Sequence, residues 1–312
     1  MNLKVLVLGA GAVGGYFGGR LLEKGADVTF LVRENRQKQL AEHGLMIRSV
    51  HGDVHLQPRT ILAGESSPSY DIIFLSTKAY HLDGAIESLK PYVREQTLII
   101  PLLNGYAHIE RLQQTFGREK VLGGLCFIES TLNDKGEVVQ TSPAHELVYG
   151  EWSGSRTLRI QALEELFQGA KADFTLSENI IRDVWHKYLF ITTMSGMTTL
   201  INAPVGPIRE AEYGQQLIRQ LFEEVAAVMR AEGAPLADDI VDQQMHTFNK
   251  MTYGMKSSML RDMEKGSAIE ADHLQGYLLQ LAEKHQLDVP LLQVVYHKLK
   301  VYELELKTQS TN

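Results

Sequence analysis

The chain has 312 residues, enough for one or two domains and for a core that needs no covalent staples. Hydrophobic residues make up 44% and charged residues 22%, which excludes a disordered or low-complexity chain. The 31 basic and 38 acidic residues leave a net charge of −7, which argues against nucleic acid or an acidic membrane surface as partner, since both reward basic patches. The single cysteine, Cys126, excludes an intrachain disulfide and a cysteine-based zinc cluster, and fits a reducing compartment. No run reaches 18 apolar residues. The short run 3–8 meets glycines where a secretory leader would have its apolar core. The expectation is a cytoplasmic protein with no membrane segment.

In chain order, residues 5–8 form a continuous apolar run closed by Gly9, the pattern of a buried parallel strand. Gly9-Ala10-Gly11-Ala12-Val13-Gly14 follows, and residues 12–24 then have helical spacing up to Gly25, a helix-stopping glycine. Strand, G-x-G-x-x-G and helix in that order make a dinucleotide-binding fingerprint. Gly9 allows the tight turn, Gly11 lets the backbone approach a pyrophosphate, and Gly14 lets helix and strand pack closely. The helix N-terminus then faces the phosphates. The alternative is a glycine-rich turn without ligand.

Residues 28–32 are the second strand. An NAD site places an acidic residue at its end for the ribose 2′-OH, but here the end is Arg33, with Arg36 close behind, and Asp27 comes too early. An arginine suits a 2′-phosphate through charge-assisted hydrogen bonds, so NADP(H) is expected over NAD(H). Glu34 follows at once, and Arg33 as a solvated loop charge is the alternative.

Residues 72–75, 98–103 and 121–126 are further strands, and 137–140 with 146–149 read as a later antiparallel pair. Ser76-Thr77-Lys78-Ala79 and Asn104-Gly105 each follow a strand at the carboxyl edge, where such sheets bind ligands. Lys78 and Asn104 are therefore candidates for the cleft; ordinary turn chemistry explains them equally well.

From residue 178 the strand signals vanish. Residues 179–197, 208–232, 238–252, 267–285 and 290–306 read as helices, with Gly233 as a stop and Pro290 at a first helical position. The tail 307–312 reads as frayed. The fold class is α/β: a Rossmann-like doubly wound domain over 1–177, then an all-α domain over 178–312.

On the first of those helices Ile180, Val184, Lys187 and Ile191 fall within about 60° of one another, and Ser195 continues the face. An ammonium on an apolar stripe suits proton transfer, because desolvation lowers its pKa. A lysine snorkelling beside Asp183 is the alternative. Ser267 and Glu270 have the spacing of a capping box, which would give the glutamate a purely structural task. The 11 histidines show no metal-ligand spacing, so no metal is expected.

Together these landmarks resemble the ketopantoate reductase (2-dehydropantoate 2-reductase) family over nearly the whole chain. Gly9 to Gly14 is similar to its NADP motif, and Arg33 falls at its 2′-phosphate arginine. Thr77-Lys78-Ala79 resembles the segment whose lysine lies near the cofactor. Asn104-Gly105 resembles the pair whose asparagine touches nicotinamide and substrate. Trp185-His186-Lys187 resembles the W-x-K that supplies the proton donor. Ser257-Ser258-Met259-Leu260-Arg261-Asp262 resembles the stretch whose second serine, here Ser258, binds the substrate carboxylate. Glu270 falls at the glutamate that contacts cofactor and catalytic centre, and residues 285–290 resemble the segment before the last helix. Where ketopantoate-reducing members commonly carry asparagines after the lysine, this chain has Ile191 and Ser195, with Val205 and the nearby Asn202 at a third position.

The resemblance implies a C-terminal domain of the 6-phosphogluconate dehydrogenase type. It also implies NADPH-dependent reduction of a 2-oxo acid, with ketopantoate reduction to pantoate in pantothenate biosynthesis first in line. Lys187 and Glu270 would be catalytic. Gly9, Ala10, Gly11, Ala12, Val13, Gly14, Arg33, Lys78, Asn104 and Glu270 would face the cofactor, and Asn104, Lys187, Ser195 and Ser258 the substrate. The cleft is expected between the domains, and a homodimer is compatible with this reading. A 3-hydroxyacid dehydrogenase of the 6-phosphogluconate type would need glycines before the lysine, and residues 179–186 have none. A non-catalytic dinucleotide sensor would need the glycine motif but not Lys187.

Overall fold

The computed structural model describes residues 3–311, with side chains up to residue 308. The chain forms two compact units. One contains the chain up to Leu103 and His108–Ile180; the other contains Asn104–Ala107 and the chain from Ile181 on.

The first unit begins β1 (Lys4–Leu8), α1 (Ala12–Glu23), β2 (Asp27–Leu31) and α2 (Glu34–His43). Three short strands follow, β3 (Leu45–Ser49), β4 (Val54–Leu56) and β5 (Arg59–Ile61). Then come β6 (Ile72–Leu75), α3 (Leu82–Leu89), β7 (Leu98–Pro101) and α4 (Ala107–Phe116), which runs into this unit from the other. The unit closes with β8 (Gly123–Leu132), β9 (Val138–Gly150), α5 (Leu158–Phe167) and β10 (Asp173–Leu176).

The first sheet has the order β5-β2-β1-β6-β7 and is parallel throughout, with Val5 opposite both Val28 and Ile72. Val5, Leu6 and Val7 are fully buried, which is why β1 is apolar on both faces rather than alternating. The second sheet runs β10-β9-β3-β4, with β8 antiparallel on β9.

Residues 137–140 and 146–149 are thus not an antiparallel pair. Residues 138–140 and 146–149 are two parts of the single strand β9, whose antiparallel partner is β8; residue 137 precedes it. Ser130 pairs with Gln140 and Ile128 with His145, so the turn-like residues 141–144 bulge opposite Glu129, whose N–H donates to Ser142 Oγ at 3.0 Å. The expected strand 121–126 also belongs here; only the bridge of Val121 to Ile99 continues the first sheet.

The helical unit comprises α6 (Ile180–Ile201, its first residue lying in the other unit), α7 (Val205–Glu210), α8 (Gly214–Ala231), α9 (Ile240–Lys250) and α10 (Ser258–Glu264). A π-helical turn, Asp272–Gly276, then runs into α11 (Tyr277–Lys284), and α12 spans Pro290–Thr311. Helix α8 carries much of this core, with Ile218, Leu221, Phe222, Val225, Val228 and Met229 fully buried.

Three helical expectations are corrected. The stretch 208–232 is broken at Tyr213, which has φ +64, and a Cβ on Gly214 would collide with the Ile208 carbonyl. Residues 267–270 are not helical. The backbone of α12 continues to Thr311 instead of fraying at 307.

Candidate active site

The glycine turn lies between β1 and α1 and is wedged by Ser76 at the end of β6. Gly9 has φ +98, and its N–H donates to the Leu31 carbonyl at 3.1 Å. Ser76 Oγ reaches the carbonyls of Leu8 and Gly9, each at 3.2 Å, and a Cβ on Gly14 would strike that same oxygen. Ala10 is buried, while Ala12 and Val13 are partly covered.

These residues fit a dinucleotide. A Cβ on Gly11 would meet nothing within 4 Å, so the backbone there lies open to a ligand. The first N–H groups of α1 have no intrahelical acceptor, and its first turn carries no acidic residue to repel phosphate. Thr77 Oγ1, one residue beyond the wedge, is buried and makes no hydrogen bond among the described residues. Lys78 follows, half-buried, just ahead of the short turn Ala79–His81.

Two arginines stand near this turn and differ in role. Arg33 is the N-cap residue of α2 and is exposed; its carbonyl accepts the Gln37 N–H at 2.9 Å, and its side chain makes no hydrogen bond or ion pair among the described residues. Burial and then the Arg33 guanidinium push the His81 imidazole below its usual range, which places His81 near Arg33. Arg36 is committed elsewhere through Nε and Nη1, with its Nη2 buried and without a hydrogen-bond partner among the described residues. Its Nε donates to the Ala10 carbonyl at 3.0 Å, and its Nη1 to the Gly136 carbonyl at 2.8 Å and to Gln39.

In the helical unit Lys187 is half-buried on α6, beside the buried Val184 and the partly buried Ile191. Trp185, two residues earlier, stacks on Tyr106 with ring centroids 4.1 Å apart and planes 22° apart. The Asn104-Gly105 turn is held at a second point by His273, whose Nε2 lies 2.9 Å from the Asn104 carbonyl. Gly105 has φ +90, so the turn reading of this pair also holds.

Ser257 is buried and is the N-cap of α10; its Oγ accepts the Leu260 N–H at 3.1 Å and lies 2.7 Å from Thr198 Oγ1. Ser258, next to it, is exposed. Ser195 is 4% exposed, and its hydroxyl donates to the Thr192 carbonyl and accepts from Gln275 Nε2 at 2.9 Å, so its bonds are filled inside the unit.

The capping box of Ser267 and Glu270 is not formed. The Ser267 N–H instead donates to the Asp262 carbonyl at 2.9 Å, and the Gly266 N–H to Met263, which together close α10. Glu270 is half-buried, and its carbonyl accepts the Leu274 N–H.

Sequence reasoning missed Tyr106 and His273. No local signal marks either residue: Trp185, on which Tyr106 stacks, is itself buried, and His273 lies far along the chain from Asn104. No group of three metal-ligating side chains occurs among the described residues, and none of their helices is long and apolar enough to cross a membrane.

Residues 5–154 match the family model for ketopantoate reductase PanE/ApbA, and residues 179–303 match the model for its C-terminal part. The uncharacterized oxidoreductase YkpB of Bacillus subtilis is 50% identical over 303 residues, covering 97% of this chain and 100% of that one. The crystal structure of 2-dehydropantoate 2-reductase from Geobacter metallireducens has a TM-score of 0.86 at 28% identity, covering 96% of this chain and 99% of that one. D-mandelate dehydrogenase, solved with NADH and anilino(oxo)acetate, shares the fold at a TM-score of 0.87, with 19% identity and coverage of 98% and 100%.

A parallel sheet with a phosphate-ready glycine turn, followed by a helical unit, defines an oxidoreductase that uses a nicotinamide dinucleotide and acts on CH–OH groups. Within that class the chain belongs to the ketopantoate reductase family.

Proposed function

We propose that the chain reduces the C2 carbonyl of a 2-oxo acid to a 2-hydroxy acid with NADPH, with ketopantoate as the first candidate substrate. The observation that carries this reading is the grouping of the Lys187 helix and the Asn104 turn through the Tyr106–Trp185 stack and the His273 bond. The half-buried Lys187 ammonium polarises the carbonyl and protonates its oxygen. When bound, NADPH supplies the hydride.

Asn104 and the exposed Ser258 position the acid, and Glu270 orients Lys187 or the cofactor ribose. The turn from Gly9 to Gly14 takes the pyrophosphate, Arg33 the 2′-phosphate, and Lys78 lies along the cofactor. Ser195 spends its hydroxyl on Gln275 and serves by holding the π turn.

Ile191 supports a second reading. It stands one turn beyond Lys187, is partly buried and offers no hydrogen bond, so an unhydroxylated apolar 2-oxo acid fits there better than ketopantoate. An NADPH-oxidation screen over ketopantoate, straight-chain 2-oxo acids and phenylglyoxylate separates the two; the aryl acid is included because D-mandelate dehydrogenase shares the fold. Ile191→Asn should shift kcat/KM toward ketopantoate. Lys187→Ala should keep NADPH affinity and lose about 10²–10⁴-fold in kcat, the scale of a positioned general acid. A Lys187→Ala enzyme within a few-fold of wild type overturns the mechanism.

A further inference from the structure

The π turn Asp272–Gly276 begins two residues after Glu270, and three successive residues in it reach two segments of the helical unit, the Asn104 turn and α6. His273 Nε2 lies 2.9 Å from the Asn104 carbonyl. The Leu274 carbonyl accepts from Tyr188 Oη at 2.5 Å, next to Lys187. Gln275 Nε2 donates to Ser195 Oγ at 2.9 Å and to the Thr192 carbonyl at 3.3 Å. Such π turns are rare, are less stable than α-helix, and cluster at functional sites.

We infer that His273 is a positioning residue of the reductase, fixing the peptide of Asn104 and so the direction of the Asn104 side chain. The inference rests on the proposed reading, in which Asn104 faces nicotinamide and substrate. A carbonyl oxygen only accepts, so Nε2 must carry the proton. The ring also lies against Gly105: a Cβ there would sit 3.1 Å from His273 Nε2 and 3.1 Å from Leu274 Cδ2. Bond and packing together hold a turn whose Gly105 is already in the left-handed region. The turn is joined in sequence to β7 and α4, yet it clusters with the helical unit, and His273 and Trp185 are its anchors there. Burial, partly offset by Glu270, lowers the His273 pKa, which favours the neutral ring with Nδ1 as acceptor on the side away from Asn104.

The test compares donor with bulk. His273→Gln keeps an N–H donor at a similar reach; His273→Phe keeps the ring and removes the donor. Steady-state kinetics with NADPH and the best 2-oxo acid of the screen should show kcat/KM down about 3- to 10-fold for His273→Phe, with His273→Gln within twofold of wild type. If the residue only fills space, Phe outperforms Gln. A Phe variant within twofold of wild type, or a Gln variant no better than Phe, overturns the inference. Should the Phe variant fail to fold, His273→Asn, whose amide is too short to reach Asn104, takes its place under the same criterion. Asn104→Ala and Lys187→Ala run alongside: if both are crippled while His273→Phe is intact, only the inference falls. If both keep full activity, the reading beneath it falls.

Discussion

Arg33 and Arg36 lie three residues apart and are chemically alike, and what distinguishes them is what each already holds. Arg36 spends Nε and Nη1 on the carbonyls of Ala10 and Gly136. Its guanidinium therefore shapes the glycine turn, while its Nη2 is buried with no hydrogen-bond partner among the described residues. Arg33 is exposed at the head of α2, beside His81, with its donors uncommitted among the described residues. Arg33→Ala should weaken NADPH by roughly 10- to 100-fold, the loss of a charge-assisted contact, and leave NADH almost unchanged. Arg36→Ala should weaken both cofactors alike, because both share the pyrophosphate. Fluorescence titrations with the two cofactors measure this, and an Arg33→Ala enzyme that loses both equally removes the 2′-phosphate assignment. The role proposed for Arg33 can be read from the sequence because strand end and glycine motif stand in fixed relation. That of Arg36 is not, because its partner Gly136 lies 100 residues away in the β8–β9 turn.

Among the elements, the two serines at the head of α10 make the same point. Ser257 caps the helix and meets Thr198 Oγ1 in the interior, so Ser257→Ala should cost about 1–2 kcal/mol, seen as a lower Tm. Ser258→Ala should leave Tm nearly unchanged and raise the KM of the 2-oxo acid. Equal Tm losses in the two variants would refute the division. Elements that bury both faces, β1 and β6, stand out in the sequence as unbroken apolar runs. The three-residue strands β4 and β5 do not, since half-exposed polar residues carry no period over so short a length. The bulge at 141–144 imitates a turn, which splits β9 on paper. The S-x-x-E spacing at 267–270 misleads for a different reason. The Ser267 N–H is taken by the closure of α10, and no residue type announces the π turn that follows.

Over the whole molecule, four histidines are pushed below their usual range with burial as the first cause: His81, His145, His186 and His273. His145 shows the geometry most fully. Tyr16 Oη lies 2.7 Å from its Nδ1, His51 stacks on it at 3.5 Å, and Arg20 and Asp173 add opposing charges. A histidine lowered in the fold binds fewer protons than its unfolded counterpart, so its stabilising effect is complete above the unfolded value of about 6.5 and declines as pH falls below it. Carboxylates act lower. Hydrogen bonds from Lys284 and His285 hold Glu232 below its ordinary range against some burial. Burial raises Glu151, but the hydrogen bonds from Arg159 and Thr157 outweigh it. Their contribution fades only below about pH 4.5. Between pH 7.5 and 5.5 the histidines alone should therefore lower the Tm, with net proton uptake on unfolding. Each unit has its own core; His81 and His145 belong to the sheet-bearing unit, and His186 and His273 to the helical unit. If calorimetry resolves two transitions, both should move down together. A Tm that is flat across this range would show that burial does not keep these imidazoles neutral, while a shift confined to one transition would exempt the histidines of the other unit. His145→Gln should flatten the slope of the sheet-bearing unit alone.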